Sequence, residues 1–280
     1  MRNPASQPAW ILSGIVAAMP WSILGQELTE NGNFEIQRLP PWAVVAAPGA
    51  SVTLVPENSP FTGLYGAGNS SVRVHDEDFE ASAPAVRQRF AATESILFGF
   101  DFQAPAQSSL SSWYVAWEGD DNTTAFFFAI GGADGSSLDF NQSKIAEITP
   151  HEWYHVEGSA GARGQKVEGF VTDTRGNRAS FSGGFPFGVK NDLSAVVVSD
   201  GDAGPNEDIL LDNFSSRLVR LSISRNAQGD EVVAWPSGLH FALEAKASLN
   251  PGTAWTPIAT PDGSYTNKVS DPMQFYRLVQ

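Results

Sequence analysis

Short runs of alternating hydrophobic and polar residues cover most of the chain. In "SWYVAW" Trp113, Val115 and Trp117 fall on one side and Tyr114 and Ala116 on the other, because successive side chains of a strand point to opposite faces. In "TAFFFAI" Phe126, Phe128 and Ile130 share a side opposite Phe127. "SVTLVP", "SSVRV", "SILFGFDFQ", "KVEGFVTD", "LSAVVVS" and "DILLDNF" are β-rich in the same way, and clusters of Gly, Pro, Asn and Asp separate them. No stretch sustains a helical period, and "EASAPAVRQRF" is broken by Pro84. Many short strands between turns predict an all-β protein, an antiparallel jelly-roll β-sandwich. Strands apolar on both faces sit centrally in such a sandwich or offer one aromatic face to a ligand. The central position is the commoner for Phe.

The pattern changes near residues 217–221. "DILLDNFSSRLV" reads as the closing strand of a domain spanning 27–218. "VVAWP", "HFALEAKASLN", "TAWTPIAT" and "FYRLVQ" then form a run of about sixty residues, enough for a small immunoglobulin- or fibronectin-like β-module over 219–280. The competing reading is an extra hairpin packed on the first domain. Residues 1–25 read as a signal peptide, with Arg2 ahead of the apolar "ILSGIVAAMPWSILG" and cleavage near Gly25–Gln26. A buried N-terminal strand or helix is the alternative. The expected product is a secreted, extracellular or periplasmic protein with no membrane insertion after cleavage.

Charge narrows the partners. The 280 residues carry a net charge of −14, which argues against nucleic acid because phosphate binding needs a basic surface. The acidic residues also supply oxygen ligands for hard cations. There is no cysteine, so an exported domain has to rely on its core or on a bound ion.

The order of "NGNFE" (31–35), Trp42, "GNSSVRV" (68–74), "QRF" (88–90), "ILFGFDFQ" (96–103), "EWYHVEG" (152–158) and "ILLDNFSS" (209–216) resembles jelly-roll carbohydrate-binding modules and concanavalin-like or laminin-G-like sandwiches of exported bacterial proteins. The tail is similar to a C-terminal module of exported Verrucomicrobia-like and planctomycete-like proteins. In the binding-module families the Asn-Gly-x-Phe-Glu segment and the Asp of the last strand meet and hold a structural calcium. The resemblance therefore implies Ca²⁺ ligation by Glu35 and Asp212, with Asn33 near them. Carboxylates from the first and last strands suit an ion that takes six to eight oxygens.

The same resemblance implies a polysaccharide or cell-envelope glycan as partner. A pyranose needs an exposed aromatic face and a few polar groups, for which Trp42, Tyr65, Trp113 and Trp117 are candidates, with Arg73 and Asn122 as polar partners and Glu118 nearby. Each Trp competes with a place in the core, and Trp153, Trp235 and Trp255 are assigned to cores. Acidic turns at 75–80, 118–122 and 199–208 read as solvated loops, the last also as a second calcium candidate. No catalytic residues are assigned: Glu118 and Asp120 give only E-x-D, and retaining glycosidases need two carboxylates about 5 Å apart. A glycoside hydrolase or polysaccharide lyase on the same sandwich, and a structural or surface-attachment protein, remain alternatives.

"HEWYH" (151–155) matches the H-E-x-x-H zinc pattern. That pattern chelates on a helix, where i and i+4 share a face. On a strand His151 and His155 stand about 13 Å apart. Thr149-Pro150 resembles a helix start, but Trp153–Val156 is aromatic and β-branched, and Gly158 and Gly161 stop a helix after two turns. The stretch is therefore expected to be a strand with Trp153 and His155 on one face and Tyr154 and Val156 on the other, with no zinc at His151 and His155.

Overall fold

The computed structural model describes residues 27–35, 38–45, 50–61, 70–76, 84–106, 112–131, 135–162, 164–187, 192–200, 207–235, 242–250, 252–258, 263–268 and 274–279. The expected signal peptide over 1–25, Tyr65 and most of the acidic turn at 199–208 lie outside them. Fourteen strands come first: β1 (Ala43–Val45), β2 (Ser51–Val55), β3 (Ser71–Asp76), β4 (Ala85–Thr93), β5 (Ser95–Gln103), β6 (Trp113–Gly119), β7 (Thr124–Gly131), β8 (Ser137–Phe140), β9 (Ser143–Glu147), β10 (Trp153–Gly161), β11 (Lys166–Asp173), β12 (Arg178–Gly184), β13 (Leu193–Asp200) and β14 (Glu207–Leu218). Six shorter ones follow: β15 (Ser222–Arg225), β16 (Glu231–Ala234), β17 (Ala242–Lys246), β18 (Thr256–Ile258), β19 (Ser264–Asn267) and β20 (Phe275–Val279).

The first fourteen make two seven-stranded antiparallel sheets. The front sheet runs β1-β4-β13-β6-β7-β8-β9 and the back sheet β12-β11-β10-β5-β14-β3-β2. Hairpin neighbours at the sheet edges flank central pairs that are distant in sequence, β4-β13-β6 in front and β10-β5-β14-β3 behind, as in a jelly roll, so the fold class expected from the strand pattern is the observed one. The inner faces carry the aromatic residues. Phe98, Phe100 and Phe102 of β5 meet Trp113 and Trp117 of β6 and Phe126 and Phe128 of β7, all completely buried. Trp117 stacks on Phe126 with centroids 5.1 Å apart and planes at 8°, and Phe98 lies 4.8 Å from Trp117. Such ring pairs add about 0.5–1.5 kcal/mol each beyond the area they bury.

Two backbone features tie the sandwich together. A register shift in β14 between Asp212 and Ser215 puts an extra residue opposite β5, with Asn213 at φ 51°; Asn tolerates this left-handed conformation. Its side chain donates to the carbonyl of Phe61 and to Asp101. The "NGNFE" segment runs beside the same strand: Leu28 N–H donates to the Ser216 carbonyl, and Phe214 N–H to that of Gly32. The rings of Phe34, Trp42 and Phe214 close over the contact, with Trp42 5.6 Å from Phe34 and 5.1 Å from Phe214.

"HEWYH" divides into a turn and a strand. His151 has φ 61°, and Glu152 N–H donates to the Thr149 carbonyl. Strand β10 starts at Trp153, with Tyr154 and Val156 in the core and His155 outward. Gly158 has a different role from the one expected. It sits mid-strand, opposite Gly169 on β11, where a Cβ would lie 2.7 Å from the Phe98 ring and 2.5 Å from the Glu168 carbonyl. The missing side chain is the space into which Phe98 packs.

The C-terminal strands form two three-stranded sheets, β15-β16-β19 and β18-β17-β20. Their small core of Val233, Trp235 and Leu243 includes Leu97, which projects from the outer face of the back sheet. Trp255 is not a core residue, contrary to expectation. It is half-buried beneath cations, with the Arg277 guanidinium 4.6 Å and the Lys246 ammonium 5.6 Å from its ring centroid.

Candidate functional site

The outer face of the front sheet is built by the residues that alternate with its core positions. Across β4, β13, β6 and β7 one row reads Arg87, Val197, Ala116, Phe127; the row beside it reads Arg89, Ala195, Glu118. On the other side Ser199 pairs with Tyr114. Small residues thus form the floor of a groove, and larger ones its two walls. The groove holds about 230 Å³ and is lined by Tyr114, Ala116, Glu118, Phe127, Phe187 and Val197, among others.

One wall is aromatic. Tyr114 meets Phe127 edge-on at 5.5 Å, and Phe187 lies parallel to Phe127 at 6.5 Å and 14°. Phe187 is 58% exposed. The other wall is polar. Arg87 donates to Glu118 and, at 2.7 Å, to Asn122 Oδ1, which also accepts from Arg89. Asn122 holds φ 65° in the β6–β7 turn, a conformation that directs its amide back over β4. Burial pushes the Glu118 carboxyl above its ordinary value, against the pull of Arg87 and Arg89.

A second polar cluster is buried on the outer face of the back sheet. Asp101 is completely buried and Asp212 nearly so. Asp101 bonds His155 Nδ1 at 2.5 Å and accepts from Asn213 at 2.7 Å. Asp212 accepts from the backbone N–H groups of Ser59 and Asn213, and Glu35 accepts from that of Ser70 at 2.9 Å. Burial, helped by the charges of Asp101 and Glu35, raises the Asp212 carboxyl to about 7 despite those two hydrogen bonds. Burial would lower the pKa of His155, but its bonds to Asp101 and Glu157 carry it to about 9.

The structure scatters the residues expected to bind sugar. Trp113 and Trp117 are completely buried and Trp42 is 3% exposed, so none of them presents a free ring face. Their positions follow from register: the β6 residues facing out are Tyr114, Ala116 and Glu118. Arg73 lies on the back sheet beside Asp208, 3.7 Å away. Of the described members of that set, Asn122 alone is joined to the groove, through Arg87, which bonds both it and Glu118. Of the residues expected near a metal, Glu35 and Asp212 are brought into electrostatic contact, and Asn33 sits in the same turn as Glu35. Among the described residues no group of three or more His, Asp or Glu side chains is arranged to hold an ion by itself. An ion between Glu35 and Asp212 therefore requires carbonyl oxygens or water as well.

No family model matches the chain, and no curated protein sequence matches it. Among solved structures it is similar to a sialidase, with a TM-score of 0.51 and 11% identity over 69% of this chain and 18% of the sialidase. TmCBM61 in complex with β-1,4-galactotriose gives 0.37 and 12% over 69% of this chain and 99% of that one. Peanut lectin gives 0.38 and 10% over 60% and 96%. The chain thus spans less than a fifth of the sialidase. At these identities the likeness establishes the jelly-roll sandwich and nothing further.

Proposed function

We propose that the protein binds a polysaccharide or cell-envelope glycan in the groove of the front sheet, as an exported, non-catalytic binding protein. The observation that carries this reading is the pairing of an exposed aromatic wall with a hydrogen-bonding polar wall across a floor of small residues. Pyranose C–H faces pack on rings, while their hydroxyls need donors and acceptors within reach. Phe187 and Tyr114 supply the first, and Arg87, Arg89, Glu118 and Asn122 the second. Architecture shared with a sialidase is compatible with a saccharide ligand without specifying one. Glu118 is the one carboxylate among the described groove residues, and Arg87 engages it, which favours binding over hydrolysis.

A structural calcium between the N-terminal turn and β14 belongs to the same proposal. Its support is the convergence of Glu35 and Asp212, where burial and like charge make an ionised carboxylate costly unless a cation joins it. Calcium would staple the two ends of the sandwich and take no part in contacting the glycan.

The test is a glycan array run beside a reducing-sugar assay on the full chain. Retention without turnover is expected, lost in Tyr114→Ala and Phe187→Ala variants that still unfold cooperatively. Turnover would replace binding by catalysis. Retention undiminished in both variants would remove the groove as the site.

A further inference from the structure

We propose that the groove selects anionic glycans, with a sugar carboxylate or sulfate ester held by Arg87 and Arg89. This rests on the glycan reading of the same groove and names its ligand class.

Arg87 and Arg89 stand two residues apart on β4, so both project from the outer face, about 7 Å apart along the strand. Their common anchor is a neutral oxygen, Asn122 Oδ1. Four of the other arginines face carboxylates: Arg73 faces Asp208, Arg175 faces Glu152, Arg178 faces Glu157 and Arg277 faces Glu244. Arg89 makes no direct ion pair among the described residues and acts on Glu118 only through its field, although acidic residues outnumber basic ones by 31 to 17. Arg87 spends one amino group on Glu118 and Asn122, and its Nε is buried without a hydrogen-bond partner among the described residues. The polar wall therefore holds two guanidinium charges against one carboxylate.

Guanidinium groups present paired N–H donors in a plane that matches carboxylate and sulfate oxygens. Beside them the low floor of Ala116 and Val197 leaves room for a sugar ring against Tyr114 and Phe127. A neutral sugar would satisfy the rings but leave the charge on Arg89 unmatched. An anionic substituent matches it. General attraction to polyanions is not available to a chain of net charge −14, whose field opposes their approach. Selectivity for an acidic sugar must then come from this local pair.

The test measures the affinity of the full chain for matched polysaccharides differing only in charge. Polygalacturonate against its full methyl ester probes carboxylates, and dextran sulfate against dextran probes sulfates. At low salt the charged member of at least one pair should bind about tenfold tighter or more. Rising salt should weaken that preference. The preference should disappear in Arg89→Gln, whose side chain is exposed and whose loss leaves the Arg87–Asn122 bond in place, and the unfolding midpoint should not change. Which pair responds tells carboxylate from sulfate.

Equal binding of charged and neutral members, abolished by Tyr114→Ala, would overturn the anionic class and leave the glycan groove standing. Binding of neutral array glycans with neither charged member retained would do the same. Charged-member binding that survives both Arg89→Gln and Arg87→Gln would place it elsewhere and overturn the assignment. Absence of any glycan binding would remove both readings.

Discussion

Gly32 touches Phe214 backbone to backbone: a Cβ at residue 32 would stand 1.8 Å from the Phe214 carbonyl oxygen. That contact lets the N-terminal segment lie along β14, and no rotamer change relieves it, because both sides are main chain. Gly32→Ala should cost about 3 kcal/mol, at the upper end of what overpacking costs. Urea unfolding checks this. Unchanged stability would mean that the segment is not docked in solution.

Leu97 is the hydrophobic link between the back sheet and the C-terminal strands. It is 3% exposed, against Val233, Trp235 and Leu243. Leu97→Ala should cost about 2–5 kcal/mol. The loss should fall on hydrogen-exchange protection in β16 and β17, while β10 and β11 keep theirs. Uniform loss across both regions would show that the sandwich itself depends on this side chain.

His155 titrates in a window set by its neighbours. Its folded pKa of about 9 lies above the ordinary 6.5, so the folded state favours the imidazolium. The resulting stability is fully present below pH 6.5 and is lost as pH rises through about 9. Unfolding free energy should fall across that interval, and His155→Gln should flatten the slope. A histidine pKa near 6.5 by NMR would contradict the buried Asp101 partnership.

Asp212 has the opposite chemical identity and the same sign. Its carboxyl is raised from 3.8 to about 7, so protonation favours the fold and metal-free stability should decline as pH rises from 3.8 through 7. A bound calcium would reverse that trend by favouring the ionised form. Chelator should therefore lower the unfolding midpoint at pH 8 and much less at pH 5. Saturating calcium at a hundred times its dissociation constant adds about 2.7 kcal/mol, and Asp212→Asn should abolish this. A midpoint insensitive to chelator at both pH values would dismiss the calcium.

Alternation along "SWYVAW" and "TAFFFAI" divided their residues correctly between two faces. It did not say which face is inside, since both are apolar. Trp113 and Trp117 are the larger residues and fill the space between the sheets, leaving Tyr114 and Phe127 for the groove. A legible signal for the polar wall was "VRQRF": arginines two apart on a strand must share a face, with Gln88 turned inward to Glu30. Phe187 follows β12 in a loop, where periodicity says nothing about exposure. The approach of "NGNFE" to "LDN" was legible only through family resemblance, because contacts between residues so far apart leave no local pattern.

Leu97 and Tyr114 point in opposite directions from the sandwich, one from the back sheet and one from the front. The C-terminal strands thus occupy the side of the molecule remote from the groove. Anchorage through those strands would leave the groove facing outward, so attachment and capture need not compete for the same surface.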